Sequence, residues 1–131
     1  MIKIYLFVLA LAGGAFLVPI TALAQNESFL NAGFVSGLWY SKSPIFVGDE
    51  IRIYAALQNR SGFDLKGKVK FYDNNSLIGE ADFAALSGRL IESWADWRAF
   101  EGEHNVSAIV DGVQKSEPGK KFEPAVLVFN S

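Results

Sequence analysis

Apolar and polar side chains alternate along most of the chain after residue 33, and this period of two constrains the fold more than any other feature. In a strand, such alternation buries one face and leaves the other in water. The clearest run is residues 51–58, where one parity is apolar (Ile51, Ile53, Ala55, Leu57) and the other is mixed (Arg52, Tyr54, Ala56, Gln58). Clusters of turn-forming residues, among them 59–62 and 73–76, separate such runs at intervals of about 8 to 12 residues. Because no helical period interrupts the pattern, residues 34–131 are predicted to form an all-β antiparallel sandwich of about seven strands.

The first 24 residues have the composition of an export signal. Lys3 precedes an unbroken apolar run, Ile4–Val18, and the segment ends in Ala-Leu-Ala, which fits a signal-peptidase site. We therefore expect residues 1–24 to be a helical signal peptide, residues 25–33 to be a polar spacer, and the domain to be secreted or held at the cell surface. The alternative is an uncleaved N-terminal membrane anchor, because Ile4–Ala24 carries no charge and about 20 apolar residues can span a bilayer.

The composition indicates which forces can stabilise the domain and which partners it can bind. The chain has no cysteine, so the domain lacks disulfides and depends on hydrophobic burial. Its formal net charge of −2 and its scattered basic residues argue against nucleic acid, whose phosphates require clustered Lys and Arg. Lys66, Lys68 and Lys70 alternate along a predicted strand and are interpreted as its solvated face.

The predicted strand 89–97 has two faces of different character. One parity contains Glu92, Trp94 and Asp96, and the other contains Ile91, Ser93, Ala95 and Trp97. Because unpaired buried carboxylates are costly, the face with the two acids is expected to lie in water. Trp94 is therefore predicted to be exposed and Trp97 to belong to the core.

Several short motifs together resemble a known family. Gly48-Asp49 opens one strand, Asn59-Arg60-Ser61-Gly62 follows it, and two further pieces come in order: Val69-x-Phe71-Tyr72-Asp73 with Leu77-Ile78-Gly79, and Glu101-Gly102-x-His104-x-Val106-x-Ala108. This order and spacing, from about Gly48 to Val110, resembles the bacterial cell-adhesion-related immunoglobulin-like domain (CARDB). The resemblance implies an immunoglobulin-like sandwich that acts outside the cell without catalysis. The family has no shared catalytic residues.

The chain offers little material for catalysis or metal binding. His104 is the only histidine, and its parity matches that of Val106 and Ala108, which predicts an inward, hydrogen-bonded structural role rather than that of a base. The compact oxygen-rich segment 73–76 (Asp-Asn-Asn-Ser) lacks the pattern of an EF-hand and is interpreted as a hairpin turn, although calcium binding there is left open. We therefore predict a protein that is not an enzyme and has no cofactor.

Aromatic residues on predicted wet faces are the main functional signal. Large amphipathic rings at a surface suit protein interfaces or stacking against sugars. The predicted contact residues are Trp39, Tyr40, Tyr54, Tyr72 and Trp94, with at least one of the first pair pointing outward. The sequence thus favours an adhesion or binding module that contacts an extracellular protein or polysaccharide. The alternative is a structural subunit of a fibre or surface layer that pairs through the edge strands of the sandwich.

Overall fold

The computed structural model describes residues 30–128, so the predicted signal peptide lies outside the described residues. The regular secondary structure of these residues consists of β-strands, which confirms the all-β prediction for this part of the chain. Eight strands are present: β1 (Leu30–Tyr40), β2 (Glu50–Asn59), β3 (Asp64–Asp73), β4 (Ser76–Ala85), β5 (Leu90–Arg98), β6 (Val106–Ser116), β7 (Glu123–Pro124) and β8 (Leu127–Val128). Within residues 30–128, no helix is long and apolar enough to cross a membrane.

The strands form two four-stranded sheets in a β-sandwich-like arrangement. The first sheet has the order β5-β2-β1-β8 and the second the order β4-β3-β6-β7. Neighbouring strands are antiparallel except for β1 and β8, which run parallel over two residue pairs. The core lies between the sheets, and its most deeply buried large side chains include Ile53 and Leu57 from the first sheet and Val69 and Phe71 from the second.

The domain begins earlier than the sequence predicted. β1 starts at Leu30, inside the predicted spacer 25–33, and Leu30 and Ala32 are both buried in the core. Asn31 and Gly33 made this stretch look polar, but they occupy the other parity of the same strand. The alternation that fills the core therefore starts at Leu30, four residues before the predicted boundary.

The end of the described chain completes both sheets. Two strands of two residues each join different sheets, β7 beside β6 and β8 beside β1. Pro124 lies at the outer edge of the second sheet, where its missing N–H costs no ladder bond. Residues 30–128 thus form eight strands, close to the predicted number of about seven.

Both predicted turn segments connect strands, but their residues act in different ways. Asn74 and Asn75, between β3 and β4, both have positive φ (47° and 73°), as a two-residue hairpin turn requires. Asn59 is instead the last residue of β2 and is fully buried. Its amide donates to the carbonyls of Phe63 and Ala85, each at 2.8 Å, and its Oδ1 accepts from the Ser61 N–H at 3.0 Å, so Asn59 closes the turn after β2 and ties it to the end of β4.

Candidate functional site

Three of the predicted contact residues stand in one row across the outer face of the first sheet. The strand register places Trp39 opposite Tyr54, and Tyr54 opposite Trp94. The Trp39 and Tyr54 rings are stacked, with centroids 5.8 Å apart and planes at 9°. Trp94 is 45 % exposed and Trp39 is 37 % exposed, so the row meets the solvent.

A cation that the sequence analysis did not single out completes this row. The guanidinium of Arg52 lies over the Trp94 ring, 3.6 Å from its centroid. Its Nε donates to Asp96 Oδ1 at 2.8 Å and its Nη2 to Asp96 Oδ2 at 3.3 Å. We refer to Trp39, Tyr54, Arg52 and Trp94 as the aromatic row. The missed signal was available, because Arg52 has the same parity as Tyr54 two residues later.

Charge effects keep this guanidinium ionised and in place. The hydrogen bond to Asp96 is the main cause that raises the pKa of Arg52, and its contact with Tyr54 adds to the effect. Reciprocally, Arg52 lowers the pKa of the Asp96 carboxyl. Arg52 is therefore a cation that lies over the Trp94 ring and is hydrogen-bonded to the Asp96 carboxylate.

A bulge in β1 sets the alignment of the row. The register pairs Val35 with Ala56, but it shifts before Trp39 pairs with Tyr54. An unbroken register would have placed Trp39 opposite Arg52. Ser36 takes a φ of 45° within the bulge, and the two extra residues leave Trp39 on the outer face. The bulge therefore brings the two rings together.

The row borders an open groove of about 650 Å³ at one end of the sheet. Arg52, Tyr54 and Asp96 contribute to its wall, and Ser41 and Arg98 lie at its other margins. The lining is mixed in polarity, and a ligand in the groove would contact the cation and one ring together. The surface thus combines a flat aromatic row with a shallow depression beside it.

The remaining two predicted contact residues do not join the row. Tyr40 is paired with Ile53 and packs against the core, because it follows the outward Trp39 by one residue. Its buried hydroxyl has no hydrogen-bond partner, and burial together with the nearby Asp73 charge raises the pKa of Tyr40 to about 12. Tyr72 lies on β3 in the other sheet. Of the first predicted pair, Trp39 thus points outward and Tyr40 inward, and Tyr72 belongs to a different surface.

His104 is buried and hydrogen-bonded, as its parity predicted. Its Nδ1 lies 2.8 Å from Asp73 Oδ2, and its Nε2 lies 2.7 Å from the carbonyl oxygen of Phe100. The Trp97 and Phe100 rings meet the imidazole edge-on, with centroids at 5.0 and 4.3 Å. Since both ring nitrogens are engaged, neither is directed at a substrate.

The oxygen-rich segment 73–76 uses its side chains within the protein. Asp73 is committed to His104, while Asn74 donates to the Glu103 carbonyl at 2.7 Å and accepts from the Asn105 N–H at 3.0 Å. Among residues 30–128, no group of three or more His, Cys, Asp or Glu side chains is placed to hold a metal ion. These bonds tie the β3–β4 turn to the loop before β6.

Comparison with known proteins adds no relative to this description. No protein-family model, curated protein or solved structure matches the chain.

Proposed function

We propose that this protein is a non-catalytic binding module of the cell surface or extracellular space, and that the aromatic row is its contact surface for another protein. Trp, Tyr and Arg are the residue types most enriched among the side chains that dominate binding energy at protein interfaces. The row contains all of these types on three adjacent strands. This grouping is the observation that carries the proposal.

The packing of the rings favours a protein over a polysaccharide. A sugar stacks on a free ring face, but Tyr54 is stacked with Trp39, and Arg52 covers one face of Trp94. The row instead presents fixed rings and a fixed cation. Such ordering reduces the side-chain entropy that binding a protein partner would cost.

The strand order supports an immunoglobulin-like assignment within this proposal. β1, β2 and β5 share one sheet while β3, β6 and β7 share the other, which matches the A, B, E and C, F, G strands of that fold. β4 pairs with β3, so the fourth strand lies on the C-F-G side. A CARDB-like module is the specific form we propose, on the strength of the sequence motifs between Gly48 and Val110.

Export is part of the same proposal and is based on residues 1–24. A cleaved signal peptide would release the sandwich, and an uncleaved one would hold it at the membrane through its N-terminus. Mass spectrometry of the protein from its native host distinguishes the cleaved form from the uncleaved one. A mature chain starting at Gln25 supports cleavage, and one starting at Met1 supports the anchor.

Binding to arrayed ligands tests the contact surface. Labelled protein is applied to an array of cell-surface proteins and to an array of envelope polysaccharides. We expect Trp39→Ala and Trp94→Ala each to weaken binding to a protein ligand by about 30-fold or more, as loss of a dominant interface side chain does. Lys70→Ala, on the opposite outer face, is the matched control and should bind as the wild type does.

Two results would count against this proposal. Binding that survives both Trp substitutions while Lys70→Ala abolishes it would move the contact surface to the second sheet. Binding confined to polysaccharides, and lost with the Trp side chains, would keep the aromatic row but replace the protein partner by a glycan.

A further inference from the structure

The free edge of β5 carries an inference that is independent of the proposed partner. β5 pairs with β2 through nine consecutive residues, Leu90–Arg98, without a register shift. Within the described part of the chain, no strand pairs with its other side. A regular edge of this length is a template for another strand.

Bonds at both ends of β5 reveal which backbone groups face that edge. The Asn59 N–H donates to the Arg89 carbonyl, and the Ala99 N–H donates to the Asp49 carbonyl. Because antiparallel bonding alternates along a strand, the odd-numbered residues of β5 direct their N–H and C=O groups towards β2. The even-numbered residues direct theirs to the free edge: Leu90, Glu92, Trp94, Asp96 and Arg98.

β4 of the second sheet lies close to β5 but does not pair with it. A Cβ added at Gly79 of β4 would stand 3.3 Å from the Cβ of Ala95, whose side chain points into the sandwich. This contact involves the inner face of β5, and the two strands belong to different sheets. Among residues 30–128, the edge-directed groups of the even-numbered residues therefore have no strand partner.

The other sheet edges are less suited to pairing with a copy of themselves. β7 and β8 have only two residues each. β4 is long, but its ladder with β3 is irregular, and its exposed Glu80 and Asp82 have no basic residue on the same strand to pair with. β5 differs from β4 because it carries both a free acid and a free base.

Glu92 and Arg98 are those two charges. Both are exposed, and neither makes an ion pair among residues 30–128. Asp96 between them is already neutralised by Arg52 at 2.8 Å. The edge therefore has one unpaired negative and one unpaired positive side chain on the same outer face.

We propose that β5 pairs antiparallel with β5 of a second copy of this chain, across a two-fold axis at Ala95. In that register Glu92 lies opposite Arg98 of the second copy, twice by symmetry. Trp94 then lies opposite Asp96, whose charge is already neutralised within its own copy. Directly opposed unlike charges stabilise a strand pair, and like charges destabilise it.

Neighbouring registers match the same charges less well. Centring the pair on Trp94 would place Glu92 opposite Asp96, so that two acids face each other. Centring it on Ser93 would place Glu92 opposite Trp94 and leave its charge without a basic partner. The register centred on Ala95 is therefore the one that the charge pattern favours.

The dimer would join the first sheets of two copies into one continuous sheet. Their outer faces would then be contiguous, so the two aromatic rows would lie on one surface with the Trp94 residues nearest the axis. A partner with two binding sites could engage both rows, which raises its apparent affinity without new contacts. Self-association would thus strengthen adhesion without being required for it.

Charge reversal with rescue tests the register. Sedimentation analysis over a range of concentrations is carried out on the full chain, on Glu92→Arg, on Arg98→Glu and on the double variant. We expect a wild-type dimer that each single variant weakens about tenfold or more, because two unlike pairs become like pairs, and that the double variant restores. Asp82→Arg on β4 is the matched control and should leave the dimer unchanged.

Glu92→Pro adds a backbone test. The N–H of residue 92 faces the free edge, so its loss should remove dimer bonds while far-ultraviolet circular dichroism shows the strand intact. A monomer at every concentration, or a dimer that none of the β5 variants weakens, would overturn the proposal. A dimer weakened by the single variants but not restored by the double would exclude this register.

Discussion

The two outer faces of the sandwich are built from different side chains. On the second sheet, Lys68 contacts Glu80 at 2.9 Å and Asp82 at 3.6 Å, and Lys70 contacts Asp111 at 2.7 Å. On the first sheet, the corresponding area holds the aromatic row. Around Lys68 and Lys70 the second sheet presents charges that neutralise one another, whereas the aromatic row on the first sheet presents rings beside one cation.

This difference separates a surface that keeps a domain soluble from one suited to contact. Exposed ion pairs contribute little to stability, but they are well hydrated and costly to strip of water. Aromatic rings contribute area that a partner can bury at low entropic cost. The lysine face was predicted to be solvated, and its ion pairs fit that role, while the aromatic row is the surface that we propose for a partner.

The largest expected effect compares the two faces of β5 itself. Trp97→Ala should lower the free energy of unfolding by about 3 to 5 kcal/mol, because it empties a buried site in the core. Trp94→Ala should change it by less than about 1 kcal/mol, since exposed side chains contribute little. Urea unfolding measures both, and equal losses would show that the aromatic row is part of the stabilising core.

The sequence could predict the orientation of these two tryptophans but not the row they help to form. Parity along one strand decides whether Trp94 or Trp97 faces water, and that information is local. Which residues lie beside Trp94 depends on the register of β2 and on a bulge in β1 around Ser36. Such shifts arise from packing between strands that are distant in sequence, so the pairing of Trp39 with Tyr54 and the contact of Arg52 with Trp94 could be found only in the structure.

A smaller effect concerns how each face responds to salt. The pair formed by Lys70 and Asp111 is an exposed ion pair, and its coupling should fall sharply at about 1 M salt, where charges are screened within about 3 Å. Arg52 also stacks its planar group on the Trp94 ring at 3.6 Å, a cation–π contact whose dispersion part salt does not screen. Double-mutant cycles for the two pairs, at low and high salt, should show that only the first loses its coupling.

The same double-mutant cycles could also contradict this distinction between the two outer faces. If the Arg52–Trp94 coupling disappeared with salt as completely as that of Lys70–Asp111, the guanidinium would act only as a point charge. Arg52→Lys provides the matched variant, because it keeps the charge and removes the planar group. Arg52→Lys should lose most of the coupling energy to Trp94 that remains at high salt.

The smallest expected effect is on acid stability. Hydrogen bonds from Lys68 and Lys70 lower the pKa values of Glu80 and Asp111, and Arg52 lowers that of Asp96. In the unfolded chain these carboxyls titrate near pH 4, so the stability they confer is fully present above about pH 5 and is lost as the pH falls through the lower values of the folded state.

Substituting the basic partners shows how much of the stability lost in acid comes from each outer face. The double variant Lys68→Met/Lys70→Met should show a smaller drop in urea midpoint between about pH 6 and pH 3 than the wild type, because its two carboxyls no longer differ between folded and unfolded states. Arg52→Met should reduce the drop by less, since it releases one carboxyl rather than two. If Arg52→Met had the greater effect, ionic stabilisation would come mainly from the aromatic face. The inferred difference in role between the two outer faces would then be wrong.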